Sequence, residues 1–230
     1  MSTIHTETAG RTSDRLDSSR GRWPLIGAAA GITGFVATLV TDVHVNGDDK
    51  ATAALVDEIS RGKAHVSLVA GFITVTLLVV LAAAWRRHVE PRVAGSTAAR
   101  VVSNGFLLSA AALALGYGWK GSLAVYLDGG INDKVGGFDR EGLYMTYVLN
   151  DFGSYIGWLG VVISLGAIAF MAFRERTVSR WIGVVATIPV LAVTAMAVGT
   201  GLPGFPGVAG PPALAIVFAG LAFGKSTITR

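Results

Sequence analysis

The sequence predicts an all-α protein: a polytopic transmembrane bundle of six helices with a short outer amphipathic helix between spans one and two. Three observations predict it. Apolar runs near 20 residues long recur between short polar connections, and about 20 residues cross ~30 Å of hydrocarbon as a helix. Only 15% of the 230 residues are charged, against roughly 25% in ordinary soluble domains. Residues 181–224 contain no Asp, Glu, Lys, Arg or His, and their centre, 201–212, is dense in Gly and Pro, which punctuate helices. That stretch reads as a helix down, a turn, and a helix back, all within lipid.

The elements follow in order. Residues 1–22 are polar without apolar period and read as a disordered cytoplasmic tail. They are too polar for a signal peptide, and the apolar run after them is too long for a typical signal core. Span one, 23–41, lies between Arg22 and Asp42. In the polar excursion to Lys63, Asp48-Asp49 offers a cap for a short helix. Ala51, Ala54, Leu55 and Ile59 would share one face of it, laid on the membrane surface. Span two is 66–85, ending against Arg86-Arg87-His88. Span three, 101–119, continues helically past Lys120 towards Leu127. After a Gly- and Asp-rich loop, residues 143–173 read as one long helix whose uncharged part, 152–173, is span four. A basic turn leads to span five, 181–200, in which Pro189 predicts a kink. Residues 225–230 form a second cytoplasmic tail.

Span six is the short one. From Pro211, a favoured first helical residue, to Gly224 is about 21 Å, less than the hydrocarbon thickness. Either the helix runs past a snorkelling Lys225 to Arg230, or the connector 201–212 dips into the outer leaflet. A dipping connector must find partners for its backbone groups. Gly27 with Gly31, and Gly153 with Gly157, give spans one and four the small-residue spacing that lets helices approach closely. Packing within the bundle is the plain reading, and a dimer seam the other.

Orientation follows from the basic residues. Thirteen of the 19 Lys and Arg fall in the tails and in the connections between spans two and three and spans four and five. Lys50, Arg61, Lys63, Lys120, Lys134 and Arg140 fall on the other side. Both termini are therefore expected in the cytoplasm. Trp23, Trp85 and Trp181 fall at the inner interface and all five tyrosines in the outer half or beyond it, as amphipathic rings favour interfaces.

Composition also excludes. The net charge of +4 with pI near 9.6 sits between apolar runs and forms no basic stripe with interleaved aromatics, so no nucleic-acid partner is expected. Zero Cys excludes disulfides, thiolate nucleophiles and cysteine-based metal sites. Two formal motif matches fail on context. Residues 219–226 fit a loosened phosphate loop with Ala first, but an apolar span precedes them where a strand is needed. Ser60-Arg-Gly-Lys63 spells Ser-x-x-Lys without a domain to hold it.

The residues that could carry chemistry gather at the outer side. Tyr147, Asn150 and Asp151 precede span four, Lys120 follows span three, and His65 precedes span two. A carboxylate near the bilayer centre costs about 3 kcal/mol and faces a bundle interior or a partner; by depth Lys120 is the partner for Asp151. One reading is an outward-opening polar pocket in which Asp151, Asn150, Tyr147, Lys120 and His65 hold a ligand or ion. The other is that Lys120 and Asp151 sit at headgroup level. His44, His65, Asp42 and Asp151 offer acceptable zinc ligands, but the histidines lack any helical metal-binding spacing, so no metal is expected.

This layout resembles a group of uncharacterised six-span membrane proteins, mostly of high-GC Gram-positive bacteria. The resemblance rests on the outer helix at 51–60, the basic turn at 174–180 and the Leu-Pro/Gly outer turn at 201–212. It brings no activity and no functional residues. The expectation is a non-enzymatic membrane component, partner-binding or envelope-associated, with the lipid bilayer as its solvent, no cofactor, and a membrane protein or a second copy as partner. The alternative is a small-molecule or ion binder, a transporter, or an intramembrane enzyme on a lipid-like substrate; Asp and Tyr can serve as acid and base.

Overall fold

The computed structural model describes residues 22–43, 52–130, 137–201, 203–224 and 228, with the backbone but not the side chain of Asp151. α1, Pro24–Phe35, begins on a proline, whose missing N–H has no partner to lose there, and continues through a π-helical turn, Val36–Val40. A 3-10 helix, Ala53–Glu58, follows. Then come α2, Arg61–His88; α3, Thr97–Tyr126; α4, Arg140–Ile156; α5, Leu159–Phe170; α6, Arg180–Thr200; and α7, Phe205–Phe223. Ser60, Ser96 and Asp139 cap α2, α3 and α4, each accepting the amide three residues on.

Pairs of touching residues show how the rods run. Thr74 meets Thr33 and Ser67 meets Ala37 between α1 and α2. Trp85 meets Ala99 and Leu68 meets Gly121 between α2 and α3. Gly116 lies on Gly153 and Gly105 on Gly160, so α3 runs against α4 and α5 taken as one rod. Gly183 abuts Ala172 between α5 and α6, Gly220 abuts Trp181 between α6 and α7, and Gly27 abuts Phe218 as α7 closes back on α1. The rods thus form a closed antiparallel ring. One end, the basic end, carries 88–97 and 174–180; the other, the loop end, carries the 3-10 helix, 127–130, 137–139 and 203–204.

Among the described residues, five helices are long and apolar enough to cross a membrane: α2, α3, the α4–α5 rod counted through Glu175, α6 and α7. α1 with its π-helical turn is a shorter apolar helix, about 26 Å long. Phe72, Ile73, Val80, Ile188 and Leu191 stay exposed on the outside of α2 and α6. Contiguous apolar surface of this kind is covered in a soluble protein; here lipid is its natural cover, and the chain is a helical membrane protein. Inside, Trp85, Phe106, Tyr117, Trp158 and Phe218 fill the main core. A second, smaller cluster of Val43, Val56, Ile59, Leu123, Leu143 and Tyr147 closes the loop end.

Three elements differ from the sequence expectation. The outer helix is a 3-10 helix packed on α4. Its three-residue repeat buries Val56 and Ile59, while Ala54 is exposed; Ala51 and Asp48-Asp49 lie outside the described residues. The long helix at 143–173 breaks at Gly157-Trp158 into α4 and α5, and Trp158 is fully buried there. The last helix gains its length at its start: α7 begins at Phe205, so much of the Gly-Pro connector is helical. Packing overrides propensity here, since Gly207 lies on Tyr155 and Gly210 on Trp158, with no room for larger side chains. Pro189 is buried in α6, which runs unbroken from Arg180 to Thr200. Gly27 and Gly31 pack on α7, and Gly153 and Gly157 on α3, within the bundle.

Candidate functional site

The end of α1 organises the polar interior. In the π-helical turn the amide of Thr41 bonds to Val36 O at 3.0 Å, one residue further back than in an α-helix. The carbonyl of Ala37 is left to side chains. Ser67 of α2 donates its hydroxyl to it, and Lys120 of α3 donates its ammonium at 2.9 Å. Lys120 is completely buried. A buried ammonium is costly unless hydrogen-bonded, and the carbonyl end of a helix carries the partial negative charge that suits it. Lys120 thus caps α1 from a neighbouring helix.

One residue on, Thr38 is a hub. Its hydroxyl lies 2.8 Å from the Tyr117 hydroxyl and accepts from Trp158 Nε1 at 3.0 Å. All three side chains are fully buried. The break at Gly157-Trp158 swings the indole into the bundle, and that indole ties α5 to α1. Four residues, Thr38, Ser67, Tyr117 and Trp158, were not legible as a group: a hydroxyl within an apolar run is common, and Tyr117 reads as an interfacial ring.

Gly116 and Gly153 mark where α3 crosses α4; one turn towards the loop end on the same two faces come Lys120 and Asn150. Asn150 is 1% exposed, and its Oδ1 has no hydrogen-bond partner. Asp42, just past the π-helical turn, also has a buried Oδ1 without a partner. Tyr147 is buried in the loop-end cluster, its ring 6.3 Å from that of Tyr144. His65 is exposed, one position off the buried stripe of α2 formed by Ala64, Ser67 and Gly71. The side chain of Asp151 and the whole of His44 lie outside the described residues. Among the described residues no three His, Asp or Glu side chains come together to hold a metal.

A cleft of about 560 Å³ opens at the loop end. The 3-10 helix and the start of α2 supply Asp57 and Arg61, the end of α3 supplies Tyr126 and Asp128, and the start of α4 supplies Phe138, Asp139 and Arg140. Arg140 pairs with Asp57 at 2.8 Å, Asp139 Oδ1 accepts the Gly142 amide at 2.9 Å, and Arg61 Nε donates to Ala124 O at 2.9 Å. Tyr126 and Phe138 meet edge to face at 4.9 Å. Sequence reasoning missed this group because its members come from three separate connections; the signal available was that each flanks a span end.

These features define a class: a polytopic helical membrane protein whose polar groups tie one end of the bundle together and line a cleft beside it. The chain belongs to the DUF4386 family, a domain of unknown function that covers residues 21–224. No curated protein and no solved structure matches it.

Proposed function

We propose that the chain is a six-span integral protein of a bacterial cytoplasmic membrane that acts by binding rather than by catalysis, at its loop end. Residues 23–224 are the membrane domain, with 1–22 and 225–230 in the cytoplasm. Six antiparallel rods support the span count, and the arginines gathered at the basic end support cytoplasmic termini. One observation carries the binding reading. The bundle interior beneath the loop end is filled by Tyr117, Trp158 and Lys120, whereas the cleft beside it is open, polar and bounded by three connections. A solute or a partner's loop arriving from outside meets that cleft first.

The chain has no cysteine, so a single introduced thiol reports its own side of the membrane. A membrane-impermeant maleimide added to intact cells should label Gly137→Cys, in the cleft wall, and spare Ala94→Cys, at the basic end. The reverse pattern would invert the protein and end this reading.

A second reading has one observation in its favour. Asn150 Oδ1 is a buried acceptor with no donor, and such groups ask for a water, an ion or a ligand. In this reading Asp151, Asn150, Tyr147 and Lys120 enclose a small donor-bearing molecule. Native mass spectrometry of the protein in mild detergent should then show a bound species that Asp151→Asn loses. An unliganded wild type would remove it.

A further inference from the structure

Among the described residues, the cleft holds one cation and one anion with charge to spare. Arg61 Nε is fixed on Ala124 O, a carbonyl in the last turn of α3, where the helix dipole favours a positive charge. The guanidinium lies across Gly129, at whose position a methyl group would stand 3.7 Å from one terminal nitrogen. Its two terminal nitrogens have no hydrogen-bond or ion-pair partner among the described residues. Asp128, beside Gly129, is exposed and makes neither a hydrogen bond nor an ion pair among the described residues. The other charges of the cleft are committed: Arg140 to Asp57, and one oxygen of Asp139 to the cap of α4. Arg61 and Asp128 line one cleft, yet no ion pair joins them within 4.0 Å.

We infer that the cleft takes a zwitterion, with an anionic group on the Arg61 guanidinium and an ammonium group on the Asp128 carboxylate. The inference rests on the loop-end cleft being the binding surface. A planar guanidinium fork is suited to a phosphate or carboxylate. A simple anion would satisfy Arg61 and meet repulsion from Asp128, and a simple cation would face the converse. A molecule carrying both charges satisfies both. The apolar floor of Leu127 and Leu143 and the Tyr126–Phe138 pair leave room for a short carbon chain between them. The volume lies within the range of small-molecule sites. A free zwitterionic solute and the headgroup of a zwitterionic phospholipid present the same two charges.

The test uses the full chain in nanodiscs of phosphatidylglycerol alone, titrated with phosphoethanolamine by calorimetry. Glycerol phosphate supplies the anion alone and ethanolamine the cation alone. Phosphoethanolamine should bind at least about tenfold more tightly than either, and Asp128→Asn and Arg61→Gln should each weaken it about tenfold or more. Asp128→Asn removes no contact of the fold, so its thermal unfolding without ligand should match the wild type. Replacing half the disc lipid with phosphatidylethanolamine separates the two sources. A weakened titration supports the headgroup, and an unchanged one supports a free solute. Phosphoethanolamine binding no better than glycerol phosphate, or undiminished binding by Asp128→Asn, overturns the inference. If Gly137→Cys still labels from outside, the cleft remains the outer binding surface and only the zwitterion is lost.

Discussion

The two ends of this bundle are made from the same helices and held together by different means. At the basic end, backbones approach until they touch: Gly105 lies on Gly160, and Ser164 donates to Val102 O at 2.8 Å across the same seam. Aromatic side chains from the start of α1 and from α2, α3 and α7, namely Trp23, Trp85, Phe106 and Phe218, interlock edge to face around it. At the loop end α1 widens and stops, so a backbone carbonyl loses its helical partner inside the protein. Lys120 and Ser67 supply what is missing, both donating to Ala37 O; halfway along the bundle, where the α4–α5 rod breaks, Ser109 does the same for α5 by accepting the amide of Val161 at 2.8 Å. Between intact stretches of helix, small residues let the backbones meet. Where helical ladders end early, neighbours must bring polar side chains.

The comparison breaks most readily at the glycine seam. A methyl group at Gly160 would fall inside the carbonyl oxygen of Gly105 and 2.7 Å from the amide nitrogen of Ser109. Two backbones cannot yield as a flexible side chain does. Gly160→Ala should cost about 3 kcal/mol, read as a lowered midpoint of unfolding in mixed detergent. Stability within about 1 kcal/mol of wild type would mean that α3 and α5 are not in backbone contact.

Thr38→Val tests the loop end by removing an oxygen at nearly constant volume. Trp158 Nε1 loses its acceptor and the Tyr117 hydroxyl its neighbour. Stranding buried polar groups costs about 2 kcal/mol, and Tyr117→Phe in the same chain should recover part of it, because one stranded hydroxyl is then gone. Additive losses in the double variant would show that the hub is two unrelated contacts.

Much of this was legible in the sequence. Helix identity and rough extent came from apolar runs, because lipid demands length and leaves few alternatives. The ends were less legible. α7 starts inside a Gly-Pro segment that local propensity assigns to a turn, because Tyr155 and Trp158 make places for Gly207 and Gly210. The outer helix follows a three-residue repeat, so its buried face is Val56 and Ile59. Lys120 and Asn150 drew notice as polar residues near a span, but only three dimensions show Lys120 seated on Ala37 O. Asp57 and Arg61 are four residues apart, but Asp128 and Arg140 come from another connection, and nothing in the spacing brings the two pairs to one cleft.

The smallest effect sharpens the comparison from the other side. Arg140 and Asp57 form the ion pair that joins the 3-10 helix to α4, with side chains 63% and 48% exposed. Water already solvates both charges, so their attraction is screened and is offset by the entropy of holding two side chains still. Asp57→Asn should change unfolding stability by less than about 0.5 kcal/mol, against several times that for Gly160→Ala. If the cleft is a binding surface built on a frame that does not depend on it, the variant will instead show itself locally, as faster amide exchange in Ala53–Glu58. A loss near that of Gly160→Ala would mean that the loop end holds the bundle together as firmly as the glycine seam, and the division of labour between the two ends would fall.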